Sequence, residues 1–219
     1  MKTFNLEASP REIVGRKASK NLRKQGLIPA VLYGQMPVDL PYQGTLNAGE
    51  KIVEISNQKG IIVTDFTISF DGVRKLVYTP EIYLIEIDIK GSKCIKAILK
   101  DMQFHPVTDA ILHIDFLEVF EDKPITMSVP VVLEGHAAGV KAGGKLNQLA
   151  RNLKVKGLAS DIPELLKVKV DHLELGKAIK VGELQFDKIE LVSPKNSVVC
   201  IVKMTRASQS AAAAASTGK

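Results

Sequence analysis

The sequence predicts a mainly β chain of the α+β class, divided into two domains. Three observations carry that reading. Short runs of alternating apolar and polar residues recur along almost the whole length, only two segments have helical spacing, and the texture changes at Glu121-Asp122-Lys123-Pro124. That charged, Pro-ended stretch lies between two strand-like runs, as a domain boundary does. The 219 residues suit two domains, and a composition 45% hydrophobic and 25% charged can bury a core in each. The boundaries expected are 1–120 for the first domain, 121–206 for the second, and 207–219 for a tail.

Phe4, Leu6 and Ala8 alternate as an opening strand. A short helix follows between Gly15 and Gly26, the latter placed for a left-handed C-terminal cap. Ile28 to Gly34 reads as a strand with Pro29 near its start. Residues 35–60 are punctuated by Gly, Pro and Asn, with one weak strand over Ile52-Val53-Glu54-Ile55. Ile61 to Phe70 is a strand. Asp71 can then cap a short helix through Tyr78 that buries Val73, Leu76 and Val77, and Thr79-Pro80 ends it. Three strands follow: Ile82 to Ile89, Cys94 to Gln103 after a turn at Gly91-Ser92, and Ile111 to Phe120 after His105 to Asp109. Such an array indicates an antiparallel sheet or small barrel.

In the second domain, Ile125, Met127, Val129, Val131 and Leu133 alternate along a long strand, and a Gly/Ala-rich stretch from Gly135 to Gly144 reads as a mobile loop. Shorter strands are expected near Leu153–Leu158, Leu166–Val170, Ile179–Val181 and Val198–Met204. Turns fall at Asp161–Glu164 and at Leu175-Gly176-Lys177. Residues 207–219, with five consecutive alanines, read as a mobile low-complexity tail.

Charge is concentrated at the start. The first 30 residues hold seven Lys or Arg against Glu7 and Glu12, a net +5 where the whole chain is +6. At 100° per residue Arg16, Lys20, Arg23 and Lys24 share one helix face, with Ala18 and Leu22 opposite. A helix with one basic and one small apolar face can pack on a domain and hold phosphates, which points to a polyanion, above all nucleic acid. A pI near 9.2 agrees, although it also suits anionic membranes. Aromatics are 5% with no Trp, which favours a binder of duplex backbone and grooves over one that stacks successive bases. No apolar run is long enough to span a bilayer, and the N-terminus has no signal-peptide core, so a cytoplasmic chain is expected. Cys94 and Cys200 are expected as reduced, half-buried thiols.

A second constellation is Ile111-Leu-His-Ile-Asp-Phe116. On a strand, Leu112, Ile114 and Phe116 point one way and His113 and Asp115 the other, about 6.5–7 Å apart. An RNA reading lets His113 donate to a phosphate or base edge and Asp115 accept from a base amino group, a 2′-hydroxyl or a basic side chain. A solvated polar face explains the same pattern. A metal or catalytic reading would have to recruit His105, Asp101 or Asp109, and no His-Glu-x-x-His, Cys-x-x-Cys or Gly-x-Ser-x-Gly spacing is present. Gly139 to Lys145 fits the start of a phosphate loop, but Leu146 stands where a Ser or Thr must hold Mg²⁺. No cofactor, metal site or small-molecule substrate is expected, and no enzyme activity. Tyr33 and Phe104 are ambiguous between base stacking and an ordinary rim position. The basic residues of the second domain (Lys141, Lys145, Lys154, Lys156, Lys167, Lys169, with Arg151) could touch RNA or protein, although dispersed lysines on strands usually face solvent.

Taken together, Gly15 to Gly34 and Leu99 to Phe116 resemble the bacterial large-subunit ribosomal proteins that bind 5S rRNA, the L-twenty-five family, in its long two-domain general stress protein CTC form. Residues 129–184 look like that family's second domain. The resemblance implies an N-terminal antiparallel β-barrel with short helices that grips a 5S rRNA stem and loop, similar also to the anticodon-binding part of glutaminyl-tRNA synthetase, and a C-terminal β-rich domain. It implies a structural constituent of the large ribosomal subunit, ribosome-associated in the cytoplasm, with 5S rRNA and large-subunit proteins and rRNA as partners. By position, the RNA contacts it implies are Arg11, Arg16, Lys20, Arg23, Tyr33, His113 and Asp115. Where the family often has a further basic residue this chain has Asn21, and Lys24 is the cation able to take that contact. Residues 35–70 look longer than in many members. The alternative is an RNA-binding or stress-response module acting off the ribosome on other structured RNA.

Overall fold

The computed structural model describes residues 2–39, 46–56, 59–90 and 94–205, with the backbone alone at 35–36 and 55–56. The turn expected at Gly91-Ser92 and the tail expected over 207–219 lie outside the described residues. The chain divides into two compact units, Met1–Lys123 and Pro124–Lys219.

The first unit runs β1 (Lys2–Pro10), α1 (Arg16–Lys24), β2 (Leu27–Asp39), β3 (Glu50–Ser56), β4 (Lys59–Ser69), α2 (Phe70–Val77), β5 (Tyr83–Ile89), β6 (Ile95–Phe104) and β7 (Ile111–Glu118). The sheet order is β1-β5-β6-β7-β2-β4-β3, and β1 also pairs with β4. Six strands therefore close a barrel, and β3 hangs outside on β4. The barrel is mixed rather than wholly antiparallel, because β1–β5 and β2–β7 are parallel. Strands adjacent in sequence pair antiparallel through short connections (β3–β4, β5–β6 and β6–β7), whereas each parallel pair joins strands far apart in the chain.

Alternation puts Leu6, Ala8, Ile28, Ala30, Leu32, Phe66, Ile68, Ile85, Ile87, Ile114 and Phe116 inside the barrel. The Phe66 and Phe116 rings lie 5.8 Å apart at its centre. Helix α2 adds Val73 and Leu76 to this core, with Val77 half-buried. Its cap is Ser69, whose Oγ accepts from the Gly72 N–H at 3.2 Å, and not Asp71, which lies in the first turn. The strand runs one residue shorter than its apolar pattern, since Phe70 already has helical geometry, so the cap falls two positions earlier.

The second unit holds β8 (Ile125–Glu134), α3 (Ala138–Lys141), β9 (Lys145–Gln148), β10 (Asn152–Gly157), β11 (Leu166–Lys169), β12 (Ala178–Lys180), a 3-10 turn (Val181–Glu183), β13 (Glu190–Leu191) and β14 (Val198–Lys203). They form a four-stranded sheet, β11-β8-β10-β13, and a three-stranded one, β12-β14-β9. The Gly/Ala-rich stretch is packed rather than a free loop. Gly139 is buried, and a Cβ there would come within 2.7 Å of the backbone at Glu174 and Leu175. Only glycine admits that approach.

Candidate nucleic-acid interface

Helix α1 is a nine-residue segment with no buried residue and no acidic residue in its first turn. It holds to the barrel at a few specific points. Gly26 follows it with φ 76°, which turns the chain straight into β2. Arg11 donates from Nη2 to Ser19 Oγ and from Nε to the Ile13 carbonyl, both at 3.0 Å, clamping the connection before the helix onto its first turns. Arg23 donates from Nε to the Leu112 carbonyl at 3.0 Å, tying the last turn to β7. Ala18 and Leu22 are half-buried over an open groove of about 600 Å³ that Pro10, Ile13 and Thr67 also line. The opposite face carries Arg16, Lys20, Arg23 and Lys24, all exposed. Among the described residues, Arg16, Lys20 and Lys24 make no ion pair or side-chain hydrogen bond. Arg23 and Lys24 in the last turn also complement the negative end of the helix dipole.

Beside the helix, the outer face of the barrel carries the polar residues of β7, β2 and β4. His113 and Asp115 do not act separately: Nδ1 of His113 lies 2.6 Å from Oδ1 of Asp115, and the two side chains are only 25% and 20% exposed. That Oδ1 is sealed from solvent and, although the imidazole lies close to it, has no hydrogen-bond partner among the described residues.

Val31 on β2 is the register partner of both Asp115 on β7 and Asp65 on β4, so the two carboxylates flank it about 10 Å apart on one face. Asp65 is 4% exposed and takes its counter-charge from Lys51 on β3, Nζ to Oδ2 at 2.6 Å. Tyr33, two residues beyond Val31 on the same face, is half-buried. Burial first, and then the charges of Asp115 and Asp65, push its phenol above the ordinary range, so it stays a protonated donor. Gln103 is the register partner of His113 and exposed on the same side.

Of the sequence-predicted residues, Arg16, Lys20, Arg23 and Lys24 thus form one exposed cationic face next to the strand that carries His113 and Asp115. Tyr33 lies on the same barrel face as that pair. Arg11 is half-buried and spends its guanidinium on the fold. Lys51, Asp65 and Gln103 were missed; Lys51 and Asp65 sit in segments without a motif, Gln103 lies within the Leu99 to Phe116 stretch with nothing to single it out, and only strand register places all three here. His105 belongs to its own loop, Nδ1 accepting from the N–H groups of Val107 and Thr108, and Asp101 accepts from the Met102 N–H. In the second unit Lys141, Lys145, Arg151, Lys154, Lys156, Lys167 and Lys169 are all exposed.

A cationic helix laid against a half-buried polar strand pair is a non-catalytic binding surface in its make-up, and comparison with known families gives the class, a structural ribosomal protein. Residues 6–64 and 50–116 match the family model described as the Ribosomal L25p family, and residues 124–206 match that of the Ribosomal protein TL5, C-terminal domain. The chain belongs to the ribosomal L25p family, in its long, two-domain form, and the family is structural and non-enzymatic. The chain is 53% identical over 218 residues to a large ribosomal subunit protein bL25 of Parabacteroides distasonis, covering 97% of this chain and 99% of the relative. The protein of that name from Porphyromonas gingivalis is 51% identical over 212 residues, covering 97% and 98%, and that of Bacteroides thetaiotaomicron 50% over 220 residues, covering 98% and 99%.

Proposed function

We propose that the protein is a constituent of the bacterial large ribosomal subunit in the cytoplasm, and that its first unit binds 5S rRNA. The observation that carries the reading is the Arg23–Leu112 hydrogen bond, which holds the cationic face of α1 beside His113 and Asp115. Arg16, Lys20, Arg23 and Lys24 take phosphates, and Arg11 supports them by fixing the start of the helix. A nine-residue helix is about 14 Å long, a size that fits the wide, shallow minor groove of A-form RNA.

The carboxylates of this face repel phosphate, so their role is selection. Asp115 accepts from a base amino or imino group or a 2′-hydroxyl, His113 Nε2 and the Tyr33 hydroxyl meet neighbouring acceptors or donors, and Gln103 extends the same row. Residues 1–120 form the RNA-binding module, 121–206 a β-rich module and 207–219 a tail. The relatives' shared name, large ribosomal subunit protein bL25, supports the assignment.

The test is co-sedimentation with 50S particles, together with binding of the isolated protein to 5S rRNA, tRNA and duplex DNA at equal salt. Preference for 5S rRNA is expected. Equal affinity for all three reduces the protein to a general polycation, and tight RNA binding without 50S association favours a role off the ribosome.

A further inference from the structure

Phe70, Arg74 and Tyr78 stand at i, i+4 and i+8 along α2, within an 80° arc of the helix surface. Among the described residues, these three alone line a groove of about 460 Å³. Phe70 is 36% and Tyr78 59% exposed, in a chain with only seven Phe and four Tyr. The opposite face of α2 is saturated, with Val73 and Leu76 in the barrel core. Among the described residues, Arg74 makes no ion pair and no side-chain hydrogen bond. Single exposed aromatics are ordinary, but two of them, two turns apart with a free guanidinium between, form a platform.

That platform adjoins the basic helix. The Phe70 N–H donates to the Gly26 carbonyl at 3.1 Å, and Leu27 pairs with Ser69, so α2 begins where α1 ends. The last turn of α1, with Arg23 and Lys24, and the first turn of α2, with Phe70, are therefore neighbours on the barrel. Arg74 and Lys75 outweigh Asp71 on α2, so the positive sign of the surface is kept.

We infer that α2 carries a second RNA contact, at which an unpaired base stacks on the ring of Phe70 or Tyr78 and its phosphate meets Arg74. The spacing suits this occupant. Phe70 and Tyr78 are about 12 Å apart along the axis, leaving a guanidinium in reach of a base on either ring. Aromatic stacking is tolerant of base identity and guanidinium supplies the charge, the combination single-stranded segments use. The inference rests on the reading that the first unit binds RNA. It adds to that reading a loop or bulge beside the helical stem held by α1.

The test uses the full chain and 5S rRNA. Because the sequence holds no Trp, Tyr78→Trp supplies a single emission signal on the platform. Its fluorescence is expected to be quenched on titration with RNA, saturating with binding measured by filter retention. Phe70→Ala/Tyr78→Ala is expected to weaken binding about tenfold or more with an unchanged salt slope, and Arg74→Ala to flatten the slope by about one. Melting curves at the unsubstituted midpoint show that these exposed changes leave the barrel folded. Unquenched emission from a Tyr78→Trp chain that binds RNA, with full affinity in the double variant, overturns the inference. That result leaves α1 as the RNA contact and the platform to a protein partner. Absence of binding by the unsubstituted chain removes the parent reading, and this one with it.

Discussion

Arg23 reaches from helix α1 to the carbonyl oxygen of Leu112, 89 residues later in the chain, at 3.0 Å. One guanidinium therefore serves two ends, anchoring the helix through Nε while its outer nitrogens stay on the exposed cationic face. Arg16 has no such anchor. Both Arg16→Ala and Arg23→Ala are expected to flatten the plot of log K against log salt by about one, from a slope of about −3 to −5 for four to six neutralised phosphates. Only Arg23→Ala is expected to lower the melting temperature, by the equivalent of about 0.5–1.5 kcal/mol. Unchanged slopes in both variants turn the helix face away from RNA.

The His113–Asp115 contact makes a different kind of prediction. Asp115→Ala removes an acceptor and strands its donor on the RNA, so 5S rRNA binding is expected to weaken by about 1–3 kcal/mol. The salt slope stays as it was, since Asp115 neutralises no phosphate. Stability falls by no more than about 1 kcal/mol, the loss of one partly exposed pair. Full RNA affinity in this variant makes the pair a purely internal contact.

A fragment ending at Lys123 contains the whole barrel core and every proposed contact. It is expected to melt cooperatively and to bind 5S rRNA within a few-fold of the full chain, as read by calorimetry and filter binding. An unfolded fragment, or one with far weaker binding, gives the second unit a direct part in recognition.

The thiols are expected to separate by reactivity. Cys94 is exposed, whereas Cys200 is fully buried and burial raises its pKa. With Ellman's reagent at pH 8, one thiol reacts at once and the second only as the protein unfolds. The raised value also sets a sign. The neutral thiol is favoured by folding, so its contribution is complete below about pH 8.5, the unfolded thiol's value, and is lost as pH rises through the higher folded one. The midpoint of second-unit melting should fall at alkaline pH, and Cys200→Ala should remove that part of the fall. Two equally fast thiols would show that β14 is not a closed core strand.

Much of this was legible in the sequence because strand alternation and one strongly one-sided helix are local signals. Leu6 and Ala8, Ile85 and Ile87, and Ile114 and Phe116 all point where a period of two puts them, and Gly26 caps the helix as its position implies. Strand register is not local, and what depends on it was hidden. The placing of Asp65 and Asp115 on either side of Val31 comes from pairing between distant strands, and the Lys51–Asp65 pair and the approach of Gln103 to His113 depend on the register of neighbouring strands whose ladders are irregular. The parallel neighbours within the barrel are hidden for the same reason. Strands as short as Glu190–Leu191 carry too few residues to show a period. Arg11 looked like its basic neighbours, and only the Ser19 hydroxyl and Ile13 carbonyl within its reach distinguish it.

Barrel closure is uneven. Strand β4 meets β2 over ten residue pairs but meets β1 over only two, Ser9 with Thr67 and Pro10 with Phe66, and Pro10 brings no N–H to that join. The chain leaves this thin seam at Arg11 to enter the connection to α1. Amide hydrogen exchange should therefore be fastest, within the barrel ladder, where β1 meets β4, and slow across β2–β4. The ring is thus joined most thinly beside its cationic helix, while the ten-pair β2–β4 ladder carries the closure on the other side of β4, so compliance next to the helix and rigidity of the scaffold fall to different hydrogen bonds.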